Sequence, residues 1–172
     1  VEHDTETMLE SDYIFDFGPG AGEHGGTIIA EGTPTEIINN PKSLTGQYLS
    51  KKLIVGQNYK ITKPDLDYLL EKDARVKTKK DIEGKSITLY GAHGRNLKNV
   101  NFEIPMGKFV CVTGVSGSGK STLVMDTLYV ALRQLFGLKI EEKPEPFKDL
   151  KGYEQISNVI AIDQTPIGRT PK

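Results

Sequence analysis

Apolar residues along this chain fall into short runs of two different periods. Tyr13-Ile14-Phe15-Asp16-Phe17 and Thr27-Ile28-Ile29-Ala30 have the length and the aromatic or β-branched content of strands, and the glycine-rich turn Gly18 to Gly26 separates them. Thr33-Pro34-Thr35-Glu36 carries a capping box with proline at the first helical position, which predicts a short helix running to Pro41. Ile87-Thr88-Leu89-Tyr90 reads as a third strand, and Val100, Phe102 and Ile104 alternate in a fourth that ends at Pro105-Met106-Gly107. The unbroken run Phe109 to Thr113 predicts a buried strand, after which Leu123, Val124, Leu128, Ala131, Leu132 and Leu135 recur at helical spacing until Gly137 stops the helix. Glu141 to Lys151 is charged and broken by proline, and Val159-Ile160-Ala161-Ile162-Asp163 predicts one more buried strand.

Between these groups, Lys51 to Lys85 holds ten basic and six acidic residues with only scattered apolar positions, the pattern of a connector. The expected organisation is 1–50 as the end of one unit, 51–85 as connector and 86–172 as the beginning of another. Arg75, Lys77, Lys79 and Lys80 are a candidate contact for a DNA backbone, against the plainer reading of a solvated surface. A net charge of −1 gives no overall electrostatic argument for nucleic acid, and 37% hydrophobic content over 172 residues suffices for an ordinary core. One cysteine excludes an internal disulfide framework, and His3, His24 and His93 are too scattered for zinc-ligand spacing, so no zinc site is expected. Cys111 reads as a small buried hydrophobe. No run has the length of a membrane span and the first residues lack a signal-peptide pattern, which makes a cytoplasmic location without a membrane partner the expectation.

The chemistry concentrates at Gly114-Val115-Ser116-Gly117-Ser118-Gly119-Lys120-Ser121, a G-x-x-x-x-G-K-[ST] phosphate loop between an apolar strand and a helix, with Thr122 completing the predicted nucleotide-binding set. Glycines let successive backbone N–H groups curl around an anion, and the helix start adds the positive end of its dipole. Lys120 is expected to reach the β- and γ-phosphates of ATP, and the Ser121 hydroxyl to reach Mg²⁺. Gly20-x-Gly22-x-x-Gly25 formally matches a dinucleotide fingerprint, but a strand rather than a helix follows it, so that reading is rejected.

Hydrolysis also needs a carboxylate on the metal and a group that orients water. An apolar strand ending in paired acids appears nowhere, and Ile160-Ala161-Ile162-Asp163 followed by Gln164 leaves two readings open. In a compact NTPase, Asp163 would hold the metal and Gln164 the water; in an ATP-binding cassette, Gln164 would be the glutamine loop and the acid strand would lie further on. Tyr90, upstream of the loop, is either an adenine-stacking aromatic or an ordinary half-buried strand residue.

The stretches Gly91 to Val100, Cys111 to Leu123, Asp126 to Leu128 and Ile162 to Pro171 resemble the start of the second ATPase module of UvrA, the ATPase family of the bacterial excinuclease system. Val1 to Asp4, Asp16 to Gly26, Glu31 to Pro34 and Ser43 to Leu49 resemble the close of that family's first module. The resemblance implies an α/β fold of partial ABC-type P-loop NTPase, the end of one nucleotide-binding domain followed by the beginning of a second. It implies ATP and Mg²⁺ as cofactors, Gln164 as the glutamine loop that senses γ-phosphate and metal, and His3 as the switch histidine of the first module. Asp163 then loses its claim to the metal. The family's remaining motifs, its zinc modules and its UvrB-binding domain would lie outside these residues, so the chain is expected to be an internal piece of an ATPase, with little turnover alone. Implied partners are a second UvrA, UvrB and damaged double-stranded DNA. A UvrA-like paralogue without a repair role and a non-hydrolysing nucleotide-dependent interaction module are the alternatives.

Overall fold

The computed structural model describes residues 4–50 and 85–162; His3, residues 51–84 of the connector, Asp163 and Gln164 lie outside the described residues. Helix α1 (Thr5–Glu10) opens at Asp4, whose carboxylate accepts the Thr7 amide, and leads into strand β1 (Tyr13–Gly18). A single 3₁₀ turn at Gly22–His24 separates β1 from β2 (Thr27–Gly32). The Thr33 capping box forms as predicted: the Thr33 amide donates to Glu36 Oε2 at 2.7 Å and starts α2 (Pro34–Asn39). Helix α3 (Leu44–Leu49) follows, then β3 (Ser86–Ala92), β4 (Val100–Pro105) and β5 (Val110–Gly114). A π-helical segment (Thr122–Tyr129) running into helix α4 (Val130–Leu135), strand β6 (Asp149–Lys151) and a 3₁₀ turn at Tyr153–Gln155 complete the described elements.

Two three-stranded sheets result, ordered β2-β1-β5 and β4-β3-β6. In the first, β1 pairs antiparallel with β2 and parallel with β5, placing Asp16 beside Thr113 and Phe17 beside Gly114. The two segments flanking the connector therefore share one sheet. Alternation along β1 sends side chains to two cores. Phe15 and Phe17 pack with Leu89, Phe102, Val112 and Leu123 between the two sheets, and the Phe15 and Phe102 rings meet edge to face at 4.7 Å. Ile14 faces the other way, with Met8, Ala30, Ile37, Leu49 and Cys111 beneath the three N-terminal helices. Cys111 is buried there, as expected of a small hydrophobe.

Three departures from the sequence reading have physical causes. The helix after Ser121 winds for eight residues, Thr122–Tyr129, with π geometry before continuing as α4. Thr127 Oγ1 donates to the Thr122 carbonyl at 2.7 Å, and burial repeats five residues apart, Thr122 and Leu123 then Thr127 and Leu128. Ala131 and Leu132 stay buried beyond the π segment, while Leu135, expected on the same apolar face, is 49% exposed. The strand predicted over Val159 to Asp163 does not form in its described part: Ile160 is 77% and Ile162 94% exposed, and no sheet edge among the described residues receives them. Conversely, the proline-broken stretch contains β6, pinned when Lys151, Leu150 and Asp149 pair with Thr88, Leu89 and Tyr90.

Tyr13 opens β1 beside Glu31, Glu36 and Glu103, and burial first, then those carboxylates, push its phenol up to about 12. An unfolded tyrosine titrates near 10, so the folded chain holds this proton more tightly. The stability gained is complete below pH 10 and is lost as pH rises from 10 towards 12. Urea midpoints should therefore fall more steeply between pH 9 and about pH 11.5 in the wild type than in Tyr13→Phe; equal slopes would show that Tyr13 is not held neutral.

Candidate functional site

Strand β5 ends at Gly114, and the next residues curl into a loop because three glycines take φ values that side chains resist: +123° at Gly114, +75° at Gly117 and +107° at Gly119. A Cβ on Gly114 would run into the Phe17 carbonyl, so the paired end of β1 fixes where the loop departs. The loop then enters the helix, where the Leu123 amide donates to the Gly119 carbonyl at 2.9 Å.

Lys120 is only 5% exposed. Its Nζ donates to the Gly114 carbonyl at 2.9 Å and to the Val115 carbonyl at 2.8 Å, so the ammonium lies across the loop's own mouth. Burial lowers its pKa, and the Asp16 carboxylate acts in the opposite direction. Asp16 is itself fully buried but well partnered: Ser43 Oγ donates to it at 2.6 Å, Thr45 Oγ1 at 2.7 Å and Thr113 Oγ1 at 3.3 Å. This network ties the start of α3 to the strand beneath the loop. Sequence reasoning gives Asp16 no role beyond its place in a resembling stretch, although a lone acid within an apolar strand is the signal of a buried, partnered carboxylate.

The residues fit a phosphate group. The loop's glycines leave the cradle free of side chains, and Lys120, which lines the cleft, supplies the positive charge. Asn96, Ser116, Gly117, Gly119, Lys120, Ser121 and Thr122 line a cleft of about 220 Å³, which thus gathers most of the predicted set. Gly114 and Val115 instead face a second cleft of about 580 Å³, shared with Met8, Thr45 and Tyr48. Ser121 is exposed at the helix start, open to a metal. No carboxylate lines the smaller cleft among the described residues. Tyr90 is not among its lining residues either, and Lys151 Nζ sits 5.5 Å from the centre of its ring. The turn rejected as a dinucleotide fingerprint leads into β2, as expected, and packs on the loop's outside: the Gly22 amide donates to the Gly117 carbonyl at 3.0 Å and the Gly26 amide to the Ser118 carbonyl at 2.8 Å.

A glycine-built loop on a buried strand, closed by a buried lysine and leading into a helix within an α/β sheet, places the chain in the P-loop NTPase class. No protein-family model matches the chain. All of it aligns with UvrABC system protein A from Halalkalibacterium halodurans at 47% identity, from Rhizobium meliloti at 48% and from Bacillus subtilis at 46%. Each match covers 100% of this chain and 16% of the relative's length. The crystal structure of UvrA2 from Deinococcus radiodurans matches 99% of this chain and 17% of that one, at 33% identity and a TM-score of 0.42. The chain belongs to the UvrA family and spans 16% of the length of these three relatives. Among the described residues no helix is long and apolar enough to cross a membrane.

Gly114→Ala forces a side chain into a left-handed backbone and against the Phe17 carbonyl. It should destabilise the chain by about 1–3 kcal/mol, read from chemical denaturation. A wild-type midpoint would mean that β1 can move aside at no cost.

Proposed function

We propose that this chain holds ATP–Mg²⁺ at Gly114 to Thr122 as part of a UvrA-type ATPase that serves nucleotide excision repair. The observation that carries the reading is Lys120, which lines the cleft of a glycine-built loop and spends its ammonium on two of that loop's own carbonyls. When nucleotide enters, the ammonium exchanges two carbonyl partners for terminal phosphate oxygens. The exchange is favourable because a charge-assisted bond to an anion is stronger than one to a neutral carbonyl. Ser121 serves the Mg²⁺, which when bound neutralises charge developing on the phosphates.

The wider assignment rests on the family. Residues 1–50 close one ATPase module, 51–85 connect, and 86–172 open a second. His3 is the switch histidine of the first module and Gln164 the glutamine loop of the second, touching γ-phosphate and Mg²⁺. The whole protein acts as a dimer with UvrB on damaged double-stranded DNA, in the cytoplasm.

Calorimetry on this chain should detect weak ATP–Mg²⁺ binding that Lys120→Ala abolishes, because the substitution removes the fixed cation at the terminal phosphates. Turnover should be negligible, since no carboxylate among the described residues lines the cleft. Unchanged affinity in Lys120→Ala would remove the loop as the site, and turnover typical of intact ATPases would remove the partial-cassette reading. Trypsin should cut first between Lys51 and Lys85, a lysine-rich stretch with few apolar anchors; survival there as long as around Phe109 would refute the connector.

A further inference from the structure

A phosphate loop works only if its amides face inwards, and a peptide's carbonyl points opposite to the N–H that follows it. Whatever turns the loop's carbonyls outwards therefore aims its donors. The Gly117 carbonyl accepts two hydrogen bonds from outside the loop: the Gly22 amide at 3.0 Å and the Asn96 carboxamide at 3.1 Å. With that carbonyl held, the Ser118 amide closes a tight turn onto the Val115 carbonyl at 3.1 Å. The neighbouring Ser118 carbonyl is likewise held from outside the loop, by the Gly26 amide at 2.8 Å.

Asn96 stands out because it is a side chain committed to this task. Its Nδ2 donates to both the Gly117 and the Gly22 carbonyls at 3.1 Å, and two carbonyl acceptors can be served only by the nitrogen of the amide. The rest of the carboxamide lies against Gly119, where an added Cβ would come within 3.2 Å of Oδ1. The loop carrying it, between β3 and β4, is strained and heavily anchored. Arg95 and Asn99 take φ values of +49° and +55°, a conformation that a non-glycine residue adopts at a cost. Arg95 is tied to Asp126 at 3.2 Å and to Glu145 at 2.9 Å, and the Lys98 amide donates to the Gly26 carbonyl at 2.9 Å. Strain restrained on both sides of one side chain marks a residue whose position matters.

We propose that Asn96 is a positioning residue for nucleotide binding, whose carboxamide holds the Gly117 carbonyl out of the cradle and so keeps the Val115–Ser118 turn of the loop preformed for phosphate. The proposal rests on the assignment of ATP–Mg²⁺ to this loop. Asn96 lines the cleft, but its Nδ2 is spent on two backbone carbonyls, so its role is to hold the loop.

Hydrogen exchange of the peptide spanning 114–122 in the full-length protein reads this site alone, through the ATP–Mg²⁺ concentration that half-protects it. Asn96→Leu keeps the size of the side chain but removes the donor; it should raise that concentration at least tenfold with the thermal unfolding midpoint unchanged. Asn96→Gln keeps a carboxamide and should raise it less than threefold. Wild-type behaviour of Asn96→Leu alongside lost protection in Lys120→Ala would overturn the role of Asn96 while leaving the site intact. A loss in Asn96→Gln as large as in Asn96→Leu, or a midpoint that falls in step with affinity, would overturn it as well. Absence of protection by ATP–Mg²⁺ in the wild type would instead remove the underlying nucleotide assignment.

Discussion

The parallel pairing of β1 with β5 is the constraint on which the rest of the molecule depends. It joins residues more than ninety positions apart, so its closure entropy is considerable, and it is sustained by what the two strands bury together. Phe15, Phe17 and Val112 enter one core while Ile14 and Cys111 enter the other. Because β1 is buried on both faces, its register with β5 cannot slip by a residue without turning Phe15 and Phe17 out of their core and Asp16 away from its hydroxyls. The phosphate loop inherits that register directly, since it leaves β5 at the residue paired with Phe17.

That register also sets the electrostatics. A buried ammonium and a buried carboxylate are each costly to remove from water. Asp16 is stabilised by three hydroxyl donors from α3 and its cap and from β5, and Lys120 by two loop carbonyls, so neither relies on a direct ion pair. The arrangement suits a site that must exchange partners. A lysine locked in a direct bridge would have to break it before meeting phosphate, whereas carbonyl bonds exchange for phosphate oxygens without stranding a buried anion. Asp16 favours the charged form of Lys120 against the effect of burial, at a distance that leaves the ammonium available.

Elements whose signals are local were legible in the chain. The capping box at Thr33, the alternation in β4, the run of β5 and the phosphate loop all depend on residues within one or two turns of each other, and each appears where expected. What was illegible depended on tertiary partners. The π turn follows from burial of Thr127 against the Thr122 carbonyl, whereas apolar spacing alone fits an ordinary helix. Strand β6 is three residues long and exists because β3 offers it an edge. In the candidate site, the loop was readable but its outer supports were not. Gly22 and Gly26 lie more than ninety positions from the carbonyls they hold and Asn96 lies 21 from Gly117, and no pattern of residue types announces such a bond.

The apolar run ending at Ile162 marks the same boundary from the other side. Its composition satisfies every local criterion for a buried strand, yet a strand is stabilised by hydrogen bonds and packing from a neighbour, not by its own residues. With Ile160 and Ile162 largely exposed, the run has β-propensity without a sheet among the described residues to use it. The phosphate loop shows the converse, for its glycines have little intrinsic preference for the shape they adopt, and hydrogen bonds from outside the loop impose it. Propensity proposes a conformation and tertiary donors decide it, which is why the part of this chain that meets phosphate is shaped most strongly by residues distant from its own motif.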